Sequence, residues 1–244
     1  MLNVYIADLT GLEESYEEKV NMLHRERADK LNIYKMHSDR VRGLGAGLLL
    51  EKGLEDYLQQ VKILPENSKR QCVEDYEKEK RLPKDYEGRA VIRYAYGYHG
   101  KPYLKDYPYI YFSLSHSGDM AVLALSDSEV GIDIQEHRGY KEKIAKRFYH
   151  KEEQKMLENV SDAEHKEILF YKIWTSKEAY IKYTGKGMQQ DLRDFYWNST
   201  DKVIVSEEKR VVCIDLFGEE PNYQCSIVSG NNCKKIDKIT KIVL

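Results

Sequence analysis

Trp174-Thr175-Ser176-Lys177-Glu178-Ala179-Tyr180-Ile181-Lys182 is the stretch from which the rest of this chain is read. Trp174, Glu178 and Lys182 recur every fourth residue, so they line one stripe of a helix. The helix predicted around them runs from Glu164 to Thr184 and stops at Gly185, a residue suited to a left-handed C-terminal cap. Upstream, Val130-Gly131-Ile132-Asp133-Ile134-Gln135 alternates apolar and polar side chains as a strand does, with Asp133 and Gln135 on one face. Taken alone, Asp133 is a surface carboxylate, and Glu178 with Lys182 is an i,i+4 ion pair of roughly 0.2–0.5 kcal/mol. Taken together, a strand carboxylate, a helix carboxylate and flanking lysines suit a divalent cation and phosphate. Mg²⁺ takes one or two protein carboxylates plus phosphate oxygens and water.

Outward from these two segments the pattern is mixed. Val4 to Ala7 reads as a strand, Glu13 to Leu31 as a helix broken near Arg27, and Asp39 to Leu58 as a stronger helix with Leu44, Leu48 and Leu49 on one stripe. Gly43, Gly45 and Gly47 fall inside that helix rather than opening one after a strand, so they are no dinucleotide loop. Gln60 to Pro83 reads as helix plus connection. Val91 to Tyr98, Ile110 to Leu114, Met120 to Ser126 and Val130 to Gln135 read as strands, with Ser115-His116-Ser117-Gly118 as a hydrogen-bonded turn. Lys141 to Phe148 and Lys151 to Asn159 are helices. Phe195 to Trp197, Val203 to Val205, Val211 to Leu216 and Tyr223 to Val228 are antiparallel strands. The expected class is α+β, in two similar halves, 1–127 and 128–244, with a seam near Asp127-Ser128-Glu129.

The composition narrows the function. The formal net charge of −2 over 244 residues gives no bulk basic field for nucleic acid. No apolar run approaches the ~20 residues of a membrane span. The first residues show no basic region ahead of an apolar run, so neither a signal peptide nor a membrane site is expected, and the protein is expected in the cytoplasm. Cys72, Cys213, Cys225 and Cys233 lack metal-type spacing and read as reduced thiols. No Gly-x-Ser-x-Gly accompanies Ser115 and His116, which argues against a serine hydrolase.

Seven segments, in order, resemble the 4′-phosphopantetheinyl transferase superfamily, in particular its two-domain monomeric type that primes nonribosomal peptide and polyketide synthases. They are Arg42 with Leu44 and Leu48-Leu49; Gly100-Lys101-Pro102; Phe112-Ser113-Leu114-Ser115-His116-Ser117-Gly118; Gly131-Ile132-Asp133-Ile134; Arg147-Phe148 with Glu153; Trp174 to Lys182; and Gly185-Lys186-Gly187. The resemblance implies Mg²⁺-dependent transfer of phosphopantetheine from coenzyme A to a serine of an apo acyl or peptidyl carrier protein, leaving adenosine 3′,5′-bisphosphate. It also implies a fold of two similar halves with the site between them. It makes Asp133 and Glu178 metal ligands. Gln135 stands where many relatives carry a carboxylate, and either ligates through its amide oxygen or holds a metal-bound water. Lys177 and Lys182 become phosphate-facing cations. Lys101 and Ser115 become coenzyme A contacts, with Pro102 and Tyr103 shaping the adenine pocket. Arg27, Lys30, Arg42 and His116 become a set for the 3′-phosphate. Glu153, with Glu152 its neighbour in register, or a metal-bound water becomes the base for the carrier serine. The carrier is expected against the helices between Lys141 and Phe170, where Lys143, Lys146 and Arg147 supply positive charge. Two rivals stay open at this level: a Mg²⁺-dependent nucleotide phosphohydrolase, and a carrier-protein or coenzyme A binding module without turnover.

Overall fold

The computed structural model describes residues 1–60, 84–85, 91–218, 222–230 and 235–244. The connection expected up to Pro83 lies, past Gln60, outside them, as do Cys72 and Cys233. Chain order begins β1 (Leu2–Asp8), α1 (Tyr16–Met22), α2 (Arg25–Leu31) and α3 (His37–Gln60). It continues β2 (Tyr94–Tyr96), β3 (Pro102–Leu104), β4 (Tyr111–Ser117), β5 (Met120–Ser126) and β6 (Val130–Glu136). Then follow α4 (Glu142–Phe148), α5 (Lys151–Glu158), α6 (Ala163–Thr184), β7 (Phe195–Asn198), β8 (Val203–Ser206), β9 (Arg210–Asp215), β10 (Tyr223–Ser229) and β11 (Lys238–Ile242). The class is α+β.

Two sheets form the centre. One has the order β11-β1-β5-β4 and the other β6-β10-β9-β8-β7; β2 and β3 make a separate hairpin. Both faces of the first sheet are covered, which is why β1 reads as an unbroken apolar run. Tyr5 and Ala7 face α3, packing with Leu44, Leu49 and Leu54. Val4 and Ile6 face the second sheet, sharing a cluster with Ile132 and Ile134 of β6 and Ile227 of β10. The opposite face of the second sheet packs under α6. The layers are therefore helix, sheet, sheet, helix. Chain membership passes from the first sheet to the second between Ser126 and Val130, and β11 returns to pair in parallel with β1.

Three local expectations are corrected. The break in the first helical segment falls at Leu23 and His24, where α1 ends and His24 precedes α2, rather than near Arg27. Ser115, His116 and Ser117 belong to β4, not to a turn; the turn to β5 is Gly118-Asp119, with Gly118 at φ 54°. Pro102, directly after Lys101, opens a strand, β3, whose partner β2 is shorter than the span expected.

β6 and α6 approach more closely than any side chain permits. A Cβ placed on Gly131 would stand 2.0 Å from the Ala179 carbonyl oxygen and 2.5 Å from the Tyr183 nitrogen. That glycine lets the strand lie against the helix backbone, and so sets the distance between Asp133, two residues on, and Glu178. Helix α6 itself is held at both ends. Asp162 accepts from the His165 N–H, and Gly185, at φ 68°, closes the C-terminus by donating to Ile181 O.

Candidate functional site

Asp133 points out of β6 toward α6 and is 3% exposed. Lys182 Nζ and Ser115 Oγ each donate to its Oδ1 at 2.7 Å, and Gln135 Nε2 donates to Oδ2 at 3.2 Å. Glu178, one turn before Lys182, is half-buried and makes no hydrogen bond or ion pair among the described residues. Burial raises its carboxyl above the ordinary range, the Asp133 charge raises it further, and Lys182 opposes both. Two carboxylates thus lie near one ammonium, which pairs with Asp133. The surplus negative charge, with an amide beside it, suits a hard cation that also takes oxygen from a ligand. Among the described residues no group of three or more His, Cys, Asp or Glu gathers as a metal centre, so the set does not resemble a structural zinc site.

A cleft of about 560 Å³ opens beside this pair, and most of the residues expected to hold coenzyme A line it. Arg27 and Lys30 enter from α2, Lys101 and Pro102 from β3 and the turn before it, Ser115 and His116 from β4, and Lys182 from α6. Arg27 Nε is buried without a hydrogen-bond partner in the described structure. Lys30 Nζ contacts the Tyr96 hydroxyl and lies 5.1 Å and 5.0 Å from the Tyr94 and Tyr96 ring centroids. Lys101 Nζ donates to Glu129 at 2.5 Å and to Tyr183 O at 3.1 Å, tying β3 to the second half. Burial lowers the His116 imidazole below its ordinary value, and Lys182, Arg42 and Arg27 lower it further. Several cations thus surround the ring, an environment that favours an anion.

Arg42 is held by Asp39 at 2.6 Å and lines a second cavity of about 410 Å³, which meets the first at His116. Gln135, Arg138, Lys141, Ile144 and Trp174 line that cavity too. Trp174 packs against the Phe148 and Tyr149 rings. Lys146 pairs with Glu142, and Arg147 lies over the Phe148 ring.

Two expected site residues stand elsewhere. Lys177 and Glu153 are both 0% exposed and pair at 2.7 Å. Lys177 also donates to Leu192 O and Phe195 O, and Glu153 accepts from the His150 and Trp197 backbone N–H groups. Burial raises the Glu153 carboxyl and lowers the Lys177 amine, while their mutual attraction opposes both shifts. The expectations of a phosphate-facing Lys177 and of a serine-facing base at Glu153 are corrected: the two form a satisfied internal pair joining α5, α6 and β7. Glu152 is no substitute, since it faces solvent and pairs with Lys155.

Residues 129–228, which carry both carboxylates, match the model of the 4′-phosphopantetheinyl transferase superfamily. The chain is matched there over 100 of its 244 residues. It is 43% identical over 132 residues to 4′-phosphopantetheinyl transferase psf-1 of Bacillus pumilus, covering 52% of this chain and 56% of that one. It is 32% identical over 147 residues to 4′-phosphopantetheinyl transferase Sfp of Bacillus subtilis, covering 59% and 65%, and 36% identical over 136 residues to 4′-phosphopantetheinyl transferase gsp of Aneurinibacillus migulanus, covering 54% and 55%. The chain thus spans between half and two thirds of the length of these curated relatives. The matched stretch begins where β6 opens the second sheet, whereas Arg27 and Lys30 of α2, Lys101 just before β3 and His116 of β4 lie outside it.

Proposed function

We propose that this protein transfers 4′-phosphopantetheine from coenzyme A to a serine of an apo acyl or peptidyl carrier protein, as the names of its relatives suggest. The observation that carries the proposal is the meeting of a cation-lined cleft with the Asp133–Glu178 pair. A nucleotide bearing a separate phosphate and a pyrophosphate needs both. In this reading Arg27, Lys30, Arg42 and His116 hold the 3′-phosphate, Lys101 and Pro102 border the nucleotide, and Lys182 faces the pyrophosphate. Asp133 and Glu178, with Gln135 beside them, would hold Mg²⁺, which when bound offsets pyrophosphate charge.

The serine oxygen forms a bond to the β-phosphorus, and the bond from that phosphorus to the bisphosphate breaks. Lys182 offsets charge on the leaving group. With Glu153 enclosed and Glu178 engaged with the cation, the serine proton passes to solvent water rather than to either carboxylate. The second cavity, bordered by Arg138, Lys141 and Ile144, is the face offered to the carrier, whose acidic helices its basic rim would suit. The same reading makes the protein a monomeric cytoplasmic enzyme of the type that serves peptide and polyketide synthases. Among the described residues, no helix is long and apolar enough to cross a membrane.

Release of adenosine 3′,5′-bisphosphate from coenzyme A, followed with and without apo-carrier, tests the proposal. Release that depends on the carrier supports transfer. Release at the same rate without carrier would make the protein a phosphohydrolase.

A further inference from the structure

The two sheets meet along β4 and β6 through side chains rather than a backbone ladder. Ser113, Ser115 and Ser117 project from one face of β4. Their hydroxyls accept the backbone N–H groups of Ile132 at 3.0 Å, Ile134 at 3.4 Å and Glu136 at 3.0 Å. The three rungs are alike in this bond and differ in one respect: the middle hydroxyl also donates its proton to Asp133 Oδ1, at 2.7 Å. A serine has one proton to give. With that proton on Asp133, Ser115 has none left to donate to a phosphate oxygen, which offers no proton in return.

We infer that Ser115 is a positioning residue for Asp133, its hydroxyl proton committed to that carboxylate rather than to coenzyme A. Ser115 and Lys182 together saturate Oδ1, whereas Oδ2 carries only the longer bond from Gln135. Ser115 thereby fixes the rotation of the carboxylate and leaves Oδ2 as the oxygen presented to a divalent cation. Ligand-orienting partners of this kind commonly set metal affinity. The inference rests on the metal reading proposed above, and its test must separate the two.

The full chain with coenzyme A is titrated with Mn²⁺, read by electron paramagnetic resonance. Coenzyme A affinity without metal is measured by calorimetry, and the melting temperature is recorded alongside. Ser115→Ala is expected to weaken Mn²⁺ binding about tenfold or more, with metal-free coenzyme A affinity unchanged. Ser115→Thr, which keeps the hydroxyl, is expected to restore it. Ser113→Ala and Ser117→Ala remove equivalent rungs; they should lower the melting temperature while keeping Mn²⁺ affinity. Equal Mn²⁺ weakening in all three alanine variants would reduce Ser115 to a rung of the seam and overturn the inference. Wild-type Mn²⁺ affinity in Ser115→Ala, or loss of its metal-free coenzyme A affinity, would overturn it as well. Wild-type protein that binds no Mn²⁺ would fail the metal reading first, before any substitution is compared.

Discussion

Glu178 is a half-buried carboxylate beside a second carboxylate, and its charge is a cost to the fold that the site uses. Because its folded pKa is raised, the stability linked to its protonated form is present below the unfolded value and lost as pH rises through the folded one. Glu178→Gln should therefore be at least as stable as wild type at neutral pH, while transfer falls on the order of 100-fold or more. Thermal melts beside an activity assay check this; a folded variant with near-normal transfer would remove Glu178 from the site. His116 works in the opposite direction. Burial and then Lys182, Arg42 and Arg27 depress its pKa, and a bound phosphate would raise it again. Coenzyme A affinity should thus strengthen as pH falls below the neutral range. Dephospho-coenzyme A and the variant His116→Ala should show flatter profiles in calorimetry, and equal slopes for all would place His116 away from the 3′-phosphate. Asp133 and Glu178 could be picked out in sequence because the spacing along β6 and α6 places side chains on a face without tertiary information, whereas His116 was singled out through the family resemblance. The place of Lys177 and Glu153 was not legible. Charged types read as exposed or functional, and only the packing of α5, α6 and β7 shows that they are enclosed together.

Helix α6 and strand β6 carry the two site carboxylates, and Gly131 is the condition of their contact. Gly131→Ala would drive a methyl into two backbone groups, which no rotamer change relieves. A loss of more than ~3 kcal/mol is expected, beyond ordinary overpacking. Urea denaturation measures it, and a wild-type midpoint would mean that strand and helix lie farther apart than described. The buried Lys177–Glu153 pair tests the other end of the same helix. Lys177→Met leaves an unpaired buried carboxyl and should cost about 3–5 kcal/mol. Adding Glu153→Gln removes the charge but keeps only one of its two hydrogen bonds from backbone N–H groups, because a single amide oxygen accepts, so the double variant should recover part of that loss. If the double variant is no better than the single, the pair is not coupled as the geometry indicates. At this level the sequence read well where one element has one period, as in α6, with its expected stop at Gly185. It read poorly at Ser115-His116-Ser117, where three polar residues suggest a turn but belong to a strand whose serine hydroxyls bond another sheet. It also missed β11, a short polar strand whose pairing with β1 is non-local.

Across the whole molecule, the two sheets share a core and the chain crosses between them at Asp127-Ser128-Glu129. Arg27 and Lys30 of α2, Arg42 of α3, Lys101 before β3, His116 of β4 and the carboxylates of β6 and α6 come together where the sheets meet, although they lie far apart in the chain. The order of the motifs made this assembly legible. The serine rungs that join the sheets, and the internal fate of Glu153, follow from packing that no single segment encodes. The central claim is transfer to a protein acceptor. Its most direct test is the intact mass of an apo-carrier incubated with the full chain, coenzyme A and Mg²⁺. A gain of one phosphopantetheine is predicted with the wild-type protein, and no gain with Glu178→Gln or with a carrier whose acceptor serine is alanine. An unmodified carrier in the presence of folded, coenzyme A-bound wild-type protein would contradict the account.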